Sequence, residues 1–249
     1  MSKIKIYSAF ASLFLVLYLL FLLLLAPADK LVGQLALPNH IKLGKVSGSL
    51  FSGDVDTIYM GSQQLEQVSW SVNVLSLLSF NPSVNVTFGS TALGYQGQFR
   101  AEDITADVPT IKALNAQIDA DYMAEQLPLM MTVKAAGQVR VNIEVYRPGK
   151  AVCSAAKGKV NWLAAQLDAT GEYVPLGDLA ADLSCTNGNL TVSVSPENNL
   201  GLELDAVFNG KRFNANGYVT PGAEFPEQLQ SFVGFLGRKD NQGRYRIRI

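Results

Sequence analysis

Histidine is nearly missing: His40 is the only one in the chain. It stands two residues past Pro38 in an expected loop, where a lone imidazole is ordinarily just solvated. Cysteine is almost as scarce, with only Cys153 and Cys185, and no spacing of Cys, His and carboxylate suits a metal ion. Charge is thin: 16% of residues are charged and the net charge is −1. That excludes a nucleic-acid binder, which needs a strong basic footprint. No glycine-rich stretch combines with lysine and Ser/Thr as a phosphate cradle requires. Asp54 and Asp56 lie two apart on one expected strand face. Paired catalytic carboxylates are one reading, and a solvated edge that discourages aggregation is the favoured one. The expectation is a chain with no cofactor and no catalytic role.

From Ile6 to Ala26 charge is absent altogether, and Leu, Phe, Val, Ala and Ile dominate. At about 1.5 Å per helical residue, such a run matches the ~30 Å hydrocarbon core of a bilayer. Lys3 and Lys5 precede it, and short lysine-bearing flanks stay cytoplasmic. The expected organisation is a cytoplasmic stub over 1–5, a transmembrane helix over 6–26 and an exported domain over 27–249. A cleaved signal peptide is the competing reading, because Ala26-Pro27-Ala28 resembles a cleavage site. The run is longer than the usual ~7–15-residue core of a signal, however. Pro27 ends the helix, since it lacks the N–H that would continue the ladder.

What the chain has in abundance is period two. Val68, Trp70, Val72 and Val74 alternate with polar residues, as do Val84, Val86 and Phe88, and then Val139, Val141, Ile143 and Val145. Leu179 to Cys185, Leu190 to Val194, Leu200 to Phe208 and Tyr245 to Ile249 repeat the rhythm. Each reads as a strand with one apolar and one polar face. Asn187-Gly188 and Asn209-Gly210 fall between such runs and signal hairpins. The expected fold is mainly β and largely antiparallel, with an apolar face that something must cover.

Helices are few. Short ones are expected over 74–80 and over Asp121–Leu127, and a better one in "EFPEQLQSFVGFLG". There Leu229, Phe232, Val233 and Leu236 share a face, Pro226 suits the first turn and Gly237 the end. Proline-bearing loops suggest a sub-boundary near 128–150. In an exported domain an even cysteine pair is most simply a Cys153–Cys185 disulfide, with two buried free thiols as the alternative. Asn85-Val86-Thr87 and Asn189-Leu190-Thr191 match the glycosylation triplet by chance. Arg244, Arg246 and Arg248 alternate with Tyr245, Ile247 and Ile249. They are either a solvated outer face or an edge strand presenting cations to an acidic partner or to lipid headgroups.

The stretch "KVSGSLFSGDV", with the later "VSW", resembles the type II secretion system protein N family. Its motif residues here are Val46, Gly48, Leu50 or Phe51, and Gly53, followed by Val68 and Trp70. Phe51 stands near where that family often has tryptophan. "CSAAKGKVNW", "LGDLAADLSC" and "FLGRKDNQGRYRIRI" extend the resemblance over essentially the whole chain. A fainter similarity links "GSLFSG" and the tryptophan strand to AsmA-like periplasmic proteins, whose curved sheets enclose an apolar groove. The resemblance implies a curved, open-barrel or half-pipe-like sheet behind a membrane anchor. It implies a non-catalytic inner-membrane component of type II secretion, with its bulk in the periplasm. There it would scaffold or link other inner-membrane secretion components for export of folded proteins across the outer membrane. The alternative it implies is an AsmA-like protein holding or transferring lipid in an apolar groove. The fate of the apolar face separates the two: Leu202, Leu204 and Phe208 are packed in the first case and line an open groove in the second. Trp70, in phase with Val68 and Val72, is expected in the core.

Overall fold

The computed structural model describes residues 7, 8, 10–15, 17, 18, 21, 26–32, 41–61, 63–73, 76, 82–126, 134–168, 171–234 and 237–248. Among them the fold is mainly β, the paired strands run antiparallel, and the named helices are short. The chain divides into two compact units, Met1–Phe88 and Gly89–Ile249.

The first unit holds helix α1 (Ala28–Val32) and strands β1 (Ile41–Leu43), β2 (Val46–Gly48), β3 (Ser52–Met60) and β4 (Gln63–Val72). Most of β5 (Val84–Ser90) also belongs to it. Strand β3 takes β1, β2 and β4 as partners, and β4 pairs with β5. Residues 7, 8, 10–15, 17, 18 and 21 are helical. Tyr7, Phe10, Phe14 and Phe21 on them are each more than 60% exposed. Among the described residues no helix is long and apolar enough to cross a membrane. Residues 6, 9, 16, 19, 20 and 22–25 of the expected span lie outside the described residues, as do His40 and most of the turn expected over 74–80.

The second unit is a meander. Strands β6 (Tyr95–Glu102), β7 (Thr110–Asp119), β8 (Ala135–Pro148), β9 (Cys153–Asp168) and β10 (Tyr173–Thr186) are followed by β11 (Asn189–Val194), β12 (Leu202–Phe208), β13 (Phe213–Val219) and β14 (Tyr245–Arg248). From β6 on, each strand pairs with its successor in sequence. Residues 135–148, within the 128–150 span named for a sub-boundary, form a strand paired along both sides, and residues 128–133 of that span lie outside the described residues. The division between units falls at Phe88 and Gly89.

Side-chain alternation builds two faces. In β10 the residues from Leu179 to Cys185 alternate half-buried with exposed, as the period-two reading expects. The register carries that alternation across the unit. One lateral row runs Ala116, Val141, Val160, Ala181, Val194, Leu204, Gly217 and Ile247 from β7 to β14. The row on the opposite face runs Asn115, Asn142, Lys159, Asp182, Ser193, Asp205, Asn216 and Arg248. Asn142 Nδ2 donates to Asn115 Oδ1 at 2.7 Å and Ser193 Oγ to Asp205 Oδ1 at 2.6 Å, so part of the polar row is hydrogen-bonded side chain to side chain.

Two short helices cover part of the apolar face. Helix α2 (Ala120–Gln126) falls within a residue of expectation and sets Ala120 against Ala135 and Val139. Helix α3 (Glu227–Val233) follows Pro226 and sets Val233 with Phe225 against Val219, Leu202, Tyr245 and Ile247. Between them Ala165, Val174 and Leu176 form a third cluster. Leu176 is 2% exposed, and such burial stabilises by about 1.5–3 kcal/mol. Phe232's side chain and Leu236, expected on the same helix face, lie outside the described residues.

Bulges interrupt three adjacent strands along one line. Register shifts fall between Ala136 and Gln138 of β8 and between Pro175 and Leu179 of β10, opposite residues 162–166 of β9. Gly137 (φ 101°) and Ala164 (φ 47°) take left-handed backbone there. Each extra residue bends its strand and strengthens the local twist. Trp162 Nε1 donates to the Ala136 carbonyl at 3.0 Å across this line, and Asp178 accepts the Ala164 N–H at 2.7 Å. The carbonyl and the amide disturbed by the bulges are therefore satisfied by side chains.

Candidate functional site

The quoted family motif forms a tight hairpin in the first unit. Val46 and Gly48 lie on β2, Leu50 and Phe51 in its turn, and Gly53, Val68 and Trp70 on β3 and β4. Gly48 has φ 90°, and a side chain there would meet the backbone of Ser52 and Gly53 at 2.5–2.6 Å. Gly53 pairs with Trp70. The indole lies over it, so that a Cβ on Gly53 would meet the ring at 2.5–2.6 Å. Trp70 Nε1 donates to the Leu50 carbonyl at 3.2 Å, closing the turn. Trp70 is half-buried rather than core, because its partner across the strand is a glycine and the ring spreads over backbone. Val68, two residues earlier on the same face, is the buried one at 5% exposure. Leu50 is 44% exposed. The motif is thus a structural clasp of one hairpin. Asp54 and Asp56 are both exposed, and Asp54 accepts the Ser69 hydroxyl at 2.6 Å.

Cys153 and Cys185 are joined in a disulfide with Cα atoms 6.1 Å apart. Cys153 opens β9 and is 2% exposed. Its N–H and that of Val152 donate to the Gly188 carbonyl at 3.2 and 3.1 Å, which sets the bridge beside the Asn187-Gly188 turn.

The charged strand β14 is the most distinctive surface. It is the last strand of the path, and β13 is its hydrogen-bonded neighbour among the described residues. Tyr245 and Ile247 are half-buried and Arg246 and Arg248 exposed, alternating as expected. Arg246 sits opposite Tyr218, and Arg248 opposite Asn216. Arg244 differs from the other two. Its Nε donates to Asp240 Oδ2 at 2.9 Å, its backbone N–H donates to Asp240 Oδ1 at 2.9 Å, and its guanidinium stacks 4.0 Å from the Tyr218 ring centroid. Arg244 is thus held against Asp240 and Tyr218, whereas Arg246 and Arg248 are exposed.

Asp240 is the centre of that clasp. Besides Arg244 it accepts the Gln242 N–H at 2.8 Å, and the Asp240 N–H donates to the Arg244 carbonyl at 2.9 Å. The Arg244 N–H is the main reason its carboxyl is held below the ordinary value. The Arg244 guanidinium and the Gln242 N–H add to this, against an opposing desolvation. Sequence reading missed Asp240 and Tyr218. The signal for Asp240 was available, since aspartate followed by Gly243 marks a turn in which the carboxylate caps its own backbone. Tyr218 carries no local signal, because it meets Arg244 only through the β13–β14 pairing.

The apolar face is neither wholly packed nor wholly open. Leu202 packs with Val219, Phe225 and Val233, Leu204 is half-buried, and Phe208 is 38% exposed beside Phe213 at 54%.

The sequence profile described as "Type II secretion system (T2SS), protein N" matches residues 39–248. A protein of Aeromonas hydrophila named type II secretion system protein N is 34% identical over 96% of this chain and 95% of its own. Proteins of the same name from Vibrio cholerae serotype O1 and Klebsiella pneumoniae are 29% and 28% identical, each covering 88% of its own length. No solved structure matches.

Proposed function

Since the chain belongs to the type II secretion system protein N family, we propose that it is a non-catalytic, membrane-anchored component of type II secretion. Its β-rich part lies in the periplasm and links inner-membrane components that support export of folded proteins across the outer membrane. The proposal of an anchor is supported by the helical N-terminal residues, whose Tyr7, Phe10, Phe14 and Phe21 are each more than 60% exposed. Exposed aromatic side chains on a helical segment in so apolar a run are suited to lipid. The linking role is carried by one observation, the β14 edge with Arg246 and Arg248 exposed. Surface cations of this kind set association rate and salt dependence more than stability.

The test is cross-linking in intact cells followed by purification of this chain in detergent over a salt series. Inner-membrane secretion components recovered with it, and weakened recovery from an Arg246→Gln/Arg248→Gln variant at low salt, are the expected results. Recovery that is the same for both proteins at every salt concentration removes β14 from the linking role. Absence of every secretion component removes the linking role itself.

A further inference from the structure

The geometry points to β14 as a template for strand addition, taking from a partner protein an extended segment that alternates acidic with apolar residues. The inference rests on the linking role just proposed and names the chemistry of the partner. An edge strand presents alternate N–H and C=O groups to solvent, and main-chain bonds to such an edge give affinity while alternate side chains give specificity. Here the edge is prepared. Asp240 fixes the turn into it through the N–H groups of Gln242 and Arg244. Arg244 on Tyr218 and Lys239, 5.3 Å over the Tyr245 ring, pin its start on two sides.

The faces dictate what can be added. The apolar row ending at Ile247 calls for an apolar residue next in line, and the polar row ending at Arg248 calls for a residue that suits a cation. Inward of the two arginines the opposing residues are Asn216 and Tyr218, so neither has a carboxylate directly opposite it within the sheet. An incoming Asp or Glu supplies that pairing. A second copy of β14 does not fit. In an antiparallel pair that keeps Tyr245 and Ile247 on the apolar side, arginine falls opposite arginine, and like charges so placed are destabilising.

The experiment uses the full chain in detergent and a fluorescent ten-residue peptide of alternating valine and glutamate. Saturable anisotropy at low salt is expected, together with slowed hydrogen exchange at Tyr245–Arg248. Binding is expected to weaken at least tenfold for Arg246→Gln/Arg248→Gln. A peptide with lysine in place of glutamate is expected not to bind, nor is the glutamate peptide when N-methylated at alternate residues. The inference is overturned if the glutamate peptide does not bind. It is equally overturned if the N-methylated form binds as well, which leaves charge attraction without strand pairing, or if protection appears elsewhere than β14. Peptide failure with secretion components still recovered from cells discards strand addition and leaves the linking role standing.

Discussion

Trp70 shows how one residue's burial is decided by its neighbour across the sheet. A larger residue in place of Gly53 would lift the indole, and the pairing of the smallest residue with the largest is what lets the ring lie flat on backbone. Because the ring is half-buried, Trp70→Ala is expected to cost about 2 kcal/mol, less than the ~3–5 kcal/mol of a fully packed aromatic. Urea unfolding checks this, with Trp70→Phe retaining most of the stability; a loss near 4 kcal/mol would place the ring in the core after all. The cysteines act on the unfolded chain instead. Tying residues 32 apart should contribute about 3–4 kcal/mol by restricting that ensemble. A Cys153→Ser/Cys185→Ser variant compared with the oxidised protein in the same urea titration tests it. Both cysteines were legible as a pair from their number alone. Arg244 was not separable from Arg246 and Arg248, because its ring partner Tyr218 is 26 positions away.

Among the elements, the hairpins that were easiest to foresee differ in their turns. Asn187 (φ 53°) and Gly188 (φ 81°) both take left-handed backbone and join β10 to β11 with two residues. That is the tight turn whose twist matches the strands. Gly188→Ala is expected to cost about 1–2 kcal/mol, since only glycine takes that conformation freely. Thermal unfolding reads the loss. Asn209-Gly210 carries the same signal but sits in a four-residue loop, where Asn209 Oδ1 accepts the N–H groups of Lys211 and Arg212. The dipeptide reveals a turn, and the strand register decides its length. Strand β14 adds a dependence on acidity. The folded carboxyl of Asp240 titrates below its unfolded value, so its contribution is present in full above about pH 4. It is lost as pH falls through the folded pKa. Hydrogen exchange at Tyr245–Arg248 is expected to be slow at pH 7 relative to the intrinsic rate and to lose the part of that protection that Asp240 supplies as pH falls below the ordinary aspartate range. Asp240→Asn should show the weaker protection at both pH values. Equal protection factors throughout would leave the clasp without consequence.

For the whole molecule, strand alternation and antiparallel pairing were readable because half-buried strands imprint period two on the chain. The line of bulges was not, since Gly137 and Ala164 take their backbone conformations from contacts between strands. The division between Phe88 and Gly89 falls inside β5, where the period-two pattern runs on and local sequence carries no sign of a boundary. The anchor is the whole-molecule property most open to test. The full chain is expected to stay in the membrane pellet after carbonate extraction. A variant that starts at Asp29 behind a cleavable export signal should appear in the soluble periplasmic fraction. Release of the full chain by carbonate would leave the N-terminal helix without its lipid role.

The order of the strands in the second unit bears on how the chain acquires its structure. Each strand from β6 onward has its successor for a neighbour, so its pairing forms between adjacent segments of the chain rather than distant ones. A chain delivered N-terminus first can therefore grow by accretion, every arriving strand finding its partner already in place. Throughout that growth a raw sheet edge is exposed, and it moves along the chain one strand at a time. Among the described residues the last such edge is β14, where two arginines meet the solvent.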